Sequence, residues 1–341
     1  IEVVSDNPRF TEAMHGVRSF GWVHLVHPKR ILKYLIQVRN ADFVIFGGGT
    51  LGDDTYGLMY PILTISQMII LTKLLGVSYG MLAIGVNRFR TKIGANIVRL
   101  LYGSMKFITV RDSESKEVCK EIGIMSNKLF ECADAAYAMK PFNIEQGKLV
   151  LIQRGINPKE KMVAVNVLTE IYEQFDYKKK IAKLCDYLIE KYEITPVFIS
   201  HEIRPGMDQT ANCETIEFME HKDRVRILST EFYNPRLMVA ILSNFIFTLG
   251  MRMHILILSA MASVPVIGIS RVDKVNNFFN QLNLDTVTSI QDFNLDKMFK
   301  SIDDIIYNRE WYVNQVAAFS QERYEKAILN ANILIKNINA K

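Results

Sequence analysis

Residues 245–274 read FIFTLGMRMHILILSAMASVPVIGISRVDK and predict a strand, a helix and a second strand. The apolar run 245–249 ends at Gly250, residues 251–262 are apolar all round, and 266–269 form the next apolar run. Two strands joined through one helix are most simply a right-handed parallel crossover. Ligands of such units bind at the carboxyl ends of the strands, so the stretch predicts an α/β fold and the edge at which its site lies.

Three residues that can carry positive charge follow these strands. Arg252 and His254 lie in the first turn of the predicted helix, and Lys274 lies just after the second strand. The free N–H groups and the dipole of a helix N-terminus already attract anions. We therefore predict an anion site formed by Arg252, His254 and Lys274, if all three side chains point inward.

Composition restricts the class of protein. The chain has 341 residues, enough for two domains, and its 49% hydrophobic and 23% charged residues are typical of a folded, soluble protein. The net charge of +5 comes without Lys/Arg blocks, so no nucleic-acid partner is expected. The mild basic excess suits anionic small molecules or an anionic membrane surface, and ordinary surface charge is the alternative. The four widely spaced cysteines predict reduced cytosolic thiols.

Neither the start of the chain nor its most apolar region indicates a targeting segment or a membrane span. The chain enters a strand directly, with no visible signal peptide and no initiator Met, so we expect the natural N-terminus to lie upstream. The apolar region 58–86 is interrupted by Pro61, Gln67 and Lys73, which favours a buried helix and a strand over a membrane span.

A glycine run follows the predicted strand 41–46. Gly47, Gly48 and Gly49 would let the backbone approach a ligand closely, and a tight strand-to-helix turn is the alternative. Asp53 comes next, beside a second Asp; such a pair can bind a metal or activate a hydroxyl, but can also cap a helix or face solvent. The pattern is neither a P-loop nor a dinucleotide-binding fingerprint.

Two further strand ends carry candidate site residues. Arg111 follows the strand 107–110, and its alternative role is an ion pair with Asp112 or Asp134. His201 follows the strand 194–200, where it could contact a ligand with Asp208 orienting it, or it could be an exposed loop histidine.

The alternation of strands and helices in both halves predicts an α/β fold with two Rossmann-like, doubly wound parallel-sheet domains that face across a cleft, a GT-B-like architecture. The polar stretch 140–161 is the predicted linker. We predict an N-terminal domain over 1–150, a C-terminal domain with the Arg/His helix over 160–300, and C-terminal helices over 301–341 that pack across both. The cleft would hold the site.

Motifs spread over most of the chain resemble those of the polysaccharide pyruvyl transferases. They are FGGGTLGDD at 46–54, TVRDSES at 109–115, ADAAY at 133–137, the His201 loop, and LGMRMHILILSAMASVPVIGIS at 249–270 followed by DK. The resemblance implies that the N-terminal domain here lacks its first strand and glycine-rich turn.

The resemblance implies transfer of the pyruvyl group of phosphoenolpyruvate to a sugar of a polysaccharide or glycan precursor, with release of phosphate. It implies catalytic roles for His254, as general acid or as a phosphate ligand that assists it, and for Arg252. Substrate-binding roles fall to Arg111, Lys274, Asp53, His201 and the glycines Gly47, Gly48 and Gly49. Phosphoenolpyruvate is the donor, and the scheme requires no metal and no further cofactor.

Two alternatives stay open. One is a GT-B-type glycosyltransferase that uses a nucleotide sugar, and the other is a catalytically inactive glycan-binding or scaffold protein. The acceptor would be a sugar or a lipid-linked glycan. We expect a cytoplasmic protein, and a lipid-linked acceptor would bring it to the inner face of the membrane. The sequence does not fix the oligomeric state.

Overall fold

The computed structural model describes residues 1–21, 27–54, 62–169, 176–228, 231, 233–271 and 273–339. The chain divides into two compact units, Ile1–Ala135 with Arg323–Lys341 and Ala136–Glu322. Each unit contains a parallel β-sheet covered by helices, which confirms the predicted α/β class. The predicted cleft between domains and the predicted domain boundaries stay predictions.

The first unit starts with a small two-stranded sheet and continues into a larger parallel one. Its strands are β1 (Glu2–Ser5), β2 (Arg18–Gly21), β3 (Val44–Gly47), β4 (Thr50–Gly52), β5 (Tyr79–Val86), β6 (Ile108–Val110) and β7 (Leu129–Glu131). Its helices are α1 (Pro8–His15), α2 (Pro28–Arg39), α3 (Thr64–Leu74), α4 (Lys92–Tyr102) and α5 (Ser113–Glu121). The larger sheet has the order β3-β5-β6-β7, with β4 also beside β5.

The second unit contains a six-stranded parallel sheet of order β10-β9-β8-β11-β12-β13. Its strands are β8 (Met162–Asn166), β9 (Thr195–Phe198), β10 (Arg226–Ile227), β11 (Thr248–Gly250), β12 (Val266–Ser270) and β13 (Val287–Ser289). The helices are α6 (Ile144–Gln153), α7 (Tyr177–Tyr192), α8 (Asp208–Glu217), α9 (Pro235–Leu242), α10 (Met253–Met261), α11 (Asp273–Leu282), α12 (Leu295–Tyr307) and α13 (Arg309–Asn339), whose last part belongs to the first unit. The chain order reverses between β8 and β11, the position at which doubly wound sheets bind ligands.

The crossover predicted from residues 245–274 is present as β11, α10 and β12. The two strands are parallel, with Thr248 opposite Val266 and Gly250 opposite Gly268. Helix α10 is apolar all round because its sides pack into the protein, and Ile255 and Leu256 are completely buried. Each such side chain contributes about 1.5–3 kcal/mol of burial free energy. The helix begins at Met253, two residues later than predicted, with Arg252 as its N-cap.

The stretch 140–161 that we predicted as a linker is not irregular, because Ile144–Gln153 within it forms helix α6. Asn143 and Gln146 form a capping box that begins this helix. Gly147 of this helix lies where a Cβ atom would be 2.0 Å from the carbonyl oxygen of Ala240 in α9. The glycine therefore lets α6 and α9 approach closely.

The glycine run is not a tight strand-to-helix turn, because a strand follows it. Gly48 and Gly49 have φ of 77° and 71°, and after them the chain resumes as β4 along the same neighbour, β5. Opposite this bulge Ala83 of β5 also has a positive φ, 52°, and its backbone N–H donates to Thr109 Oγ1 at 2.7 Å. The glycines therefore form a strand bulge that faces an irregularity in the next strand.

Helix α13 is anchored in the first unit by one buried amide. Asn330 Oδ1 accepts from Thr109 Oγ1 at 2.5 Å, and Asn330 Nδ2 donates to the carbonyl of Ala133 at 3.0 Å. A buried amide with both ends satisfied fixes the register of the helix. Within the described ranges, no helix has both the length and the apolar character needed to cross a bilayer.

Candidate functional site

Polar residues gather where the strand order of the second sheet reverses. Asn166 is the last residue of β8, His201 follows β9, and Arg252 and His254 follow β11. All four lie at the carboxyl edge of a parallel sheet, and the last two lie at the start of α10. The structure thus brings together His201, Arg252 and His254, three of the residues that the sequence singles out.

Asp208, the first residue of α8, is the centre of this arrangement and is completely buried. Its Oδ2 atom accepts from the backbone N–H groups of His201 and Glu202, at 3.0 and 3.1 Å, and from Asn166 Nδ2 at 3.1 Å. Arg252 Nε lies 2.7 Å from both carboxylate oxygens, and Arg252 Nη2 lies 2.5 Å from Oδ1. Such charge-assisted bonds are strong and directional, so one carboxylate fixes both the His201 loop and Arg252.

Asn166 completes the support of Arg252, and the sequence analysis did not select it. Its Oδ1 atom accepts from the backbone N–H of Arg252 at 3.2 Å, while Nδ2 also donates to the carbonyl of Ile199 at 3.0 Å. An amide at the end of the buried run of β8 was the available signal, because a polar residue there needs a partner.

The guanidinium of Arg252 is held in place without being enclosed. Its side chain is 27% exposed, whereas that of Asp208 is 0% exposed. The Nε and Nη2 atoms bind the carboxylate, and Nη1 has no hydrogen-bond acceptor within the part of the chain that the structure describes. The planar fork can therefore donate to an anion from its other side.

The two histidine rings lie one above the other. Their centroids are 6.0 Å apart with an interplanar angle of 21°. The pKa of His201 is lowered to about 4, first by burial and then by the nearby His254 and Arg252, against the opposing effects of Asp208 and Glu202. His201 is therefore a neutral imidazole at neutral pH, able to accept a proton from a hydroxyl group.

Lys274 lies in the first turn of α11, which follows β12, the strand beside β11. Its side chain is exposed. A cluster in which Lys274 joins Arg252 and His254 around one anion stays a prediction.

Arg111 lies in the first unit and is buried among hydrogen-bond acceptors. Its Nη1 is 3.4 Å from Asp134 Oδ2, its Nε is 3.4 Å from Asp112 Oδ2, and Nη2 donates to Thr50 Oγ1 at 3.3 Å. A Cβ atom on Gly85 would lie 2.8 Å from Nη2, so the glycine makes room for the guanidinium. The ion pairs considered as its alternative role are present, and a substrate-binding role stays a prediction.

The two adjacent carboxylates after the glycine run have separate partners. Asp53 accepts from Asn87 Nδ2 at 2.9 Å, and its place in a substrate site stays a prediction. The buried Asp54 accepts from the backbone N–H groups of Arg90 and Thr91, at 2.7 and 2.9 Å, and from Thr91 Oγ1 at 2.7 Å. Burial opposes ionisation, but these hydrogen bonds hold the pKa of Asp54 below its usual value. Asp54 therefore anchors the start of α4.

Two further features lie at the carboxyl edge of the first sheet. Asp112 is the N-cap of α5, and its side chain accepts from the backbone N–H of Ser115 at 2.7 Å. The glycines Gly47, Gly48 and Gly49 are exposed, and no atom lies within 4 Å of a Cβ built on Gly48 or Gly49. Their role in binding a substrate stays a prediction.

Comparisons with known proteins give a consistent result. The family model described as polysaccharide pyruvyl transferase matches residues 1–273. The amylovoran biosynthesis protein AmsJ of Erwinia amylovora is 20% identical over 346 residues, covering 94% of this chain and 79% of that protein.

Solved structures resemble the whole chain at low identity. The UDP-GlcNAc 2-epimerase of Methanocaldococcus jannaschii has a TM-score of 0.67 and 14% identity, covering 98% of this chain and 91% of that one. Anabaena Alr3699/HepE, solved with UDP and glucose, has a TM-score of 0.66 and 8% identity, covering 100% and 92%. These likenesses confirm the GT-B-like fold.

Proposed function

The chain belongs to the polysaccharide pyruvyl transferase family, and from this premise we propose that it transfers the pyruvyl group of phosphoenolpyruvate to a sugar. Two sugar hydroxyl groups would receive it, forming a ketal and releasing phosphate. The observation that carries this proposal is the stacked pair of His201 and His254 beside an arginine fixed by a buried carboxylate. The relative named for amylovoran biosynthesis supports a polysaccharide or its precursor as the acceptor.

The donor carries a phosphate and a carboxylate, and the site offers matching groups. The first N–H groups of α10 lack helical acceptors and attract anions, as helix N-termini do. Arg252 adds the N–H groups on the side of its fork that faces away from Asp208. We assign Lys274, in the first turn of α11, as a further phosphate ligand.

The reaction needs a proton at the donor's methylene carbon and a base for each attacking hydroxyl. In our proposal His254 protonates that carbon, so that C2 becomes electrophilic. A sugar oxygen then bonds to C2 while the neutral His201 accepts its proton. The bond from C2 to the phosphate oxygen breaks, and the second hydroxyl oxygen bonds to C2. In the net reaction one of the two hydroxyl protons ends on the new methyl group, and the other ends on the released phosphate.

An imidazole with a pKa of about 4 is unprotonated at neutral pH, so His201 can accept a proton, and as a weak base it would do so when the attacking hydroxyl becomes acidic on bonding to C2. It would be a poor proton donor there, so the acid role falls to His254. Interactions of the N–H groups at the start of α10 with the leaving phosphate would stabilise the charge that develops on it.

The proposal is tested by following labelled pyruvyl carbon from phosphoenolpyruvate into glycans. The assay uses a panel of polysaccharide fragments and lipid-linked oligosaccharides, with phosphate release as a second readout. We expect label in a glycan that releases pyruvate on mild acid treatment, with one phosphate per transferred group. Label in no glycan, with phosphate release no faster than in a protein-free blank, would reject pyruvyl transfer.

A nucleotide-sugar glycosyltransferase is the second candidate. It is favoured by the likeness to Anabaena HepE, whose structure contains UDP and glucose, and by the place of the site at the sheet position where doubly wound folds bind nucleotides. Thermal stabilisation separates the candidates, because a ligand at about a hundred times its Kd adds roughly 2.7 kcal/mol. Stabilisation by UDP-sugars but not by phosphoenolpyruvate would favour this candidate. Stabilisation by phosphoenolpyruvate without turnover would favour an inactive binding protein.

A further inference from the structure

Helices α2, α3 and α4 form one continuous outer surface of the first unit. Helix α2 packs on α3 through Tyr34, whose hydroxyl lies 2.7 Å from Thr72 Oγ1 and 3.1 Å from the carbonyl of Met68. Helix α3 packs on α4 within the same core, to which Ile69 and Val98 belong. We refer to the outward sides of these three helices as the α2–α4 face.

The α2–α4 face carries the positive charge of the protein. Its basic residues are Lys29, Arg30, Lys33 and Arg39 on α2, Lys73 on α3, and Lys92 and Arg99 on α4. The sequences of the three helices contain no Asp or Glu. Removing these seven residues from the 41 basic residues of the chain leaves 34, against 36 acidic residues. The net positive charge is therefore concentrated on this face.

The excess of basic residues does not continue onto the next helix. Helix α5 carries three glutamates and two lysines among nine residues, and one of the glutamates, Glu121, pairs with Arg88 just before α4, with Arg88 Nη2 and Glu121 Oε1 3.3 Å apart. The basic surface is thus bounded, rather than a general property of the first unit.

Large apolar side chains are exposed among these charges. They are Leu32 (60% exposed), Ile36 (50%), Ile70 (47%), Leu74 (77%), Ile93 (62%) and Leu100 (76%). On each helix the pair is separated by four or seven residues, which places both members on one side of the helix. Each helix therefore buries one apolar side in the core and exposes a second one between lysines and arginines.

We propose that the α2–α4 face binds the surface of an anionic phospholipid bilayer. The lysines and arginines would contact headgroup phosphates, and the exposed leucines and isoleucines would insert between the headgroups, as in interfacial amphipathic helices. The combination favours a bilayer over a nucleic acid, since nucleic-acid sites use stacked aromatic rings and polar contacts rather than protruding aliphatic side chains. This surface does not depend on pyruvyl transfer and would bind lipid whatever the reaction is.

Flotation of the full chain with lipid vesicles tests the proposal directly. One set of vesicles contains phosphatidylcholine alone and the other contains phosphatidylcholine with phosphatidylglycerol. We expect the protein to float with the anionic vesicles and to remain in solution with the neutral ones, with binding that weakens as salt is added.

Two triple variants separate the charged and apolar contributions. Lys29→Gln with Lys73→Gln and Lys92→Gln removes one charge from each helix, and we expect about a hundredfold weaker partitioning, since each basic residue near an anionic surface contributes about fivefold. Leu32→Gln with Leu74→Gln and Leu100→Gln removes one exposed apolar side chain from each helix. We expect it to lose the binding that survives in high salt.

A matched control changes the same net charge elsewhere. Lys159→Gln with Lys183→Gln and Lys300→Gln replaces three exposed lysines of the second unit, and we expect it to bind vesicles like the unchanged protein. All six variant positions of the α2–α4 face are exposed, so thermal stability should stay unchanged.

Three results would overturn the proposal. They are equal flotation with neutral and anionic vesicles, equal losses in the basic and control triples, and unchanged high-salt binding in the leucine triple. Tight binding of a DNA duplex by the unchanged protein without vesicle binding would assign the face to a nucleic acid instead.

Discussion

The larger parallel sheet of each unit places an arginine at its carboxyl edge, but the two arginines have different surroundings. In the second unit, one side of the Arg252 guanidinium donates hydrogen bonds to the buried Asp208, and the Arg252 side chain is 27% exposed. In the first unit, the side chain of Arg111 is 5% exposed and lies among Asp112, Asp134 and Thr50. A buried carboxylate such as Asp208 can thus orient an exposed cation toward a ligand. A buried cation such as Arg111 can instead connect the segments that follow neighbouring strands. Exposure of the guanidinium separates the two uses, and sequence position alone does not.

The largest effect should come from His254, which we propose as the general acid. His254→Ala should lower the rate of pyruvyl transfer by about 10²–10⁴-fold, because positioned acids and bases contribute that much. The measurement is initial velocity, with thermal unfolding as the check on the fold. His221→Ala is the matched control, since this histidine lies elsewhere in the second unit, beside Glu190. A turnover of His254→Ala near that of the control would remove His254 from the chemistry.

Removing the charge of Asp208 should affect both the fold and the site. Asp208→Asn leaves Arg252 without its carboxylate in a buried setting, so we expect the free energy of unfolding to fall by about 3–5 kcal/mol. In the same variant the Kd for phosphoenolpyruvate should rise, because Arg252 is no longer held in place.

Asp186→Asn is the control for this change. Asp186 is also buried, but its carboxylate accepts from the backbone N–H groups of Glu220 and His221. It should lose stability without a change in the Kd for phosphoenolpyruvate. If both variants bound the donor equally well, Asp208 would not orient the donor site.

Arg111→Met tests the opposite use of an arginine. It leaves two carboxylates in the first unit without their cation, so we expect a loss of about 3 kcal/mol in the free energy of unfolding. Chemical denaturation measures this loss, and calorimetric titration measures donor binding. The comparison predicts that donor affinity changes less than in Arg252→Ala. A larger loss of affinity in Arg111→Met would place Arg111 in the donor site after all.

The smallest effect should be a dependence of stability on pH. The pKa of His201 is about 4 in the fold, below the ordinary value of 6.5, so the folded state favours the neutral ring. The stabilisation is complete above pH 6.5 and is lost as the pH falls toward 4, because the unfolded chain then takes up the proton first. Between about pH 7 and pH 5 the loss should be about 2 kcal/mol. Urea titrations at both pH values measure the free energy of unfolding of wild type and of His201→Gln. The same change in this free energy between pH 7 and pH 5 in both proteins would contradict the prediction.

Local pattern was sufficient for the crossover of β11, α10 and β12. Its apolar runs, its central glycine and its helix with apolar residues on all sides each predict the same structure. The apolar residues of the helix are buried and the two strands pair, as the pattern predicts. Arg252 and His254 were predictable for the same reason, because a helix N-terminus after a strand has a fixed place in the fold.

The remaining features depend on partners distant in sequence. The glycine run forms a bulge because Ala83 opposite it takes a positive φ, held by a bond to Thr109. Gly147 does not break α6, because α9 packs where its side chain would be. The position of Asp208 beneath Arg252, and its support by Asn166, result from contacts between residues 42 and 44 positions apart. No local pattern contains such information.

The anchoring of Asn330 has a consequence for biosynthesis. Its bond to Thr109 joins residues 221 positions apart, and the first unit includes Arg323–Lys341 as well as Ile1–Ala135. The second unit is one continuous segment, so all of its residues are synthesised before the part of α13 that belongs to the first unit. The first unit can bury the Thr109 hydroxyl against Asn330 only after the whole second unit has been translated. Until then a nascent chain holds an incomplete N-terminal half, and truncation before Asn330 should leave that half the more sensitive to proteases.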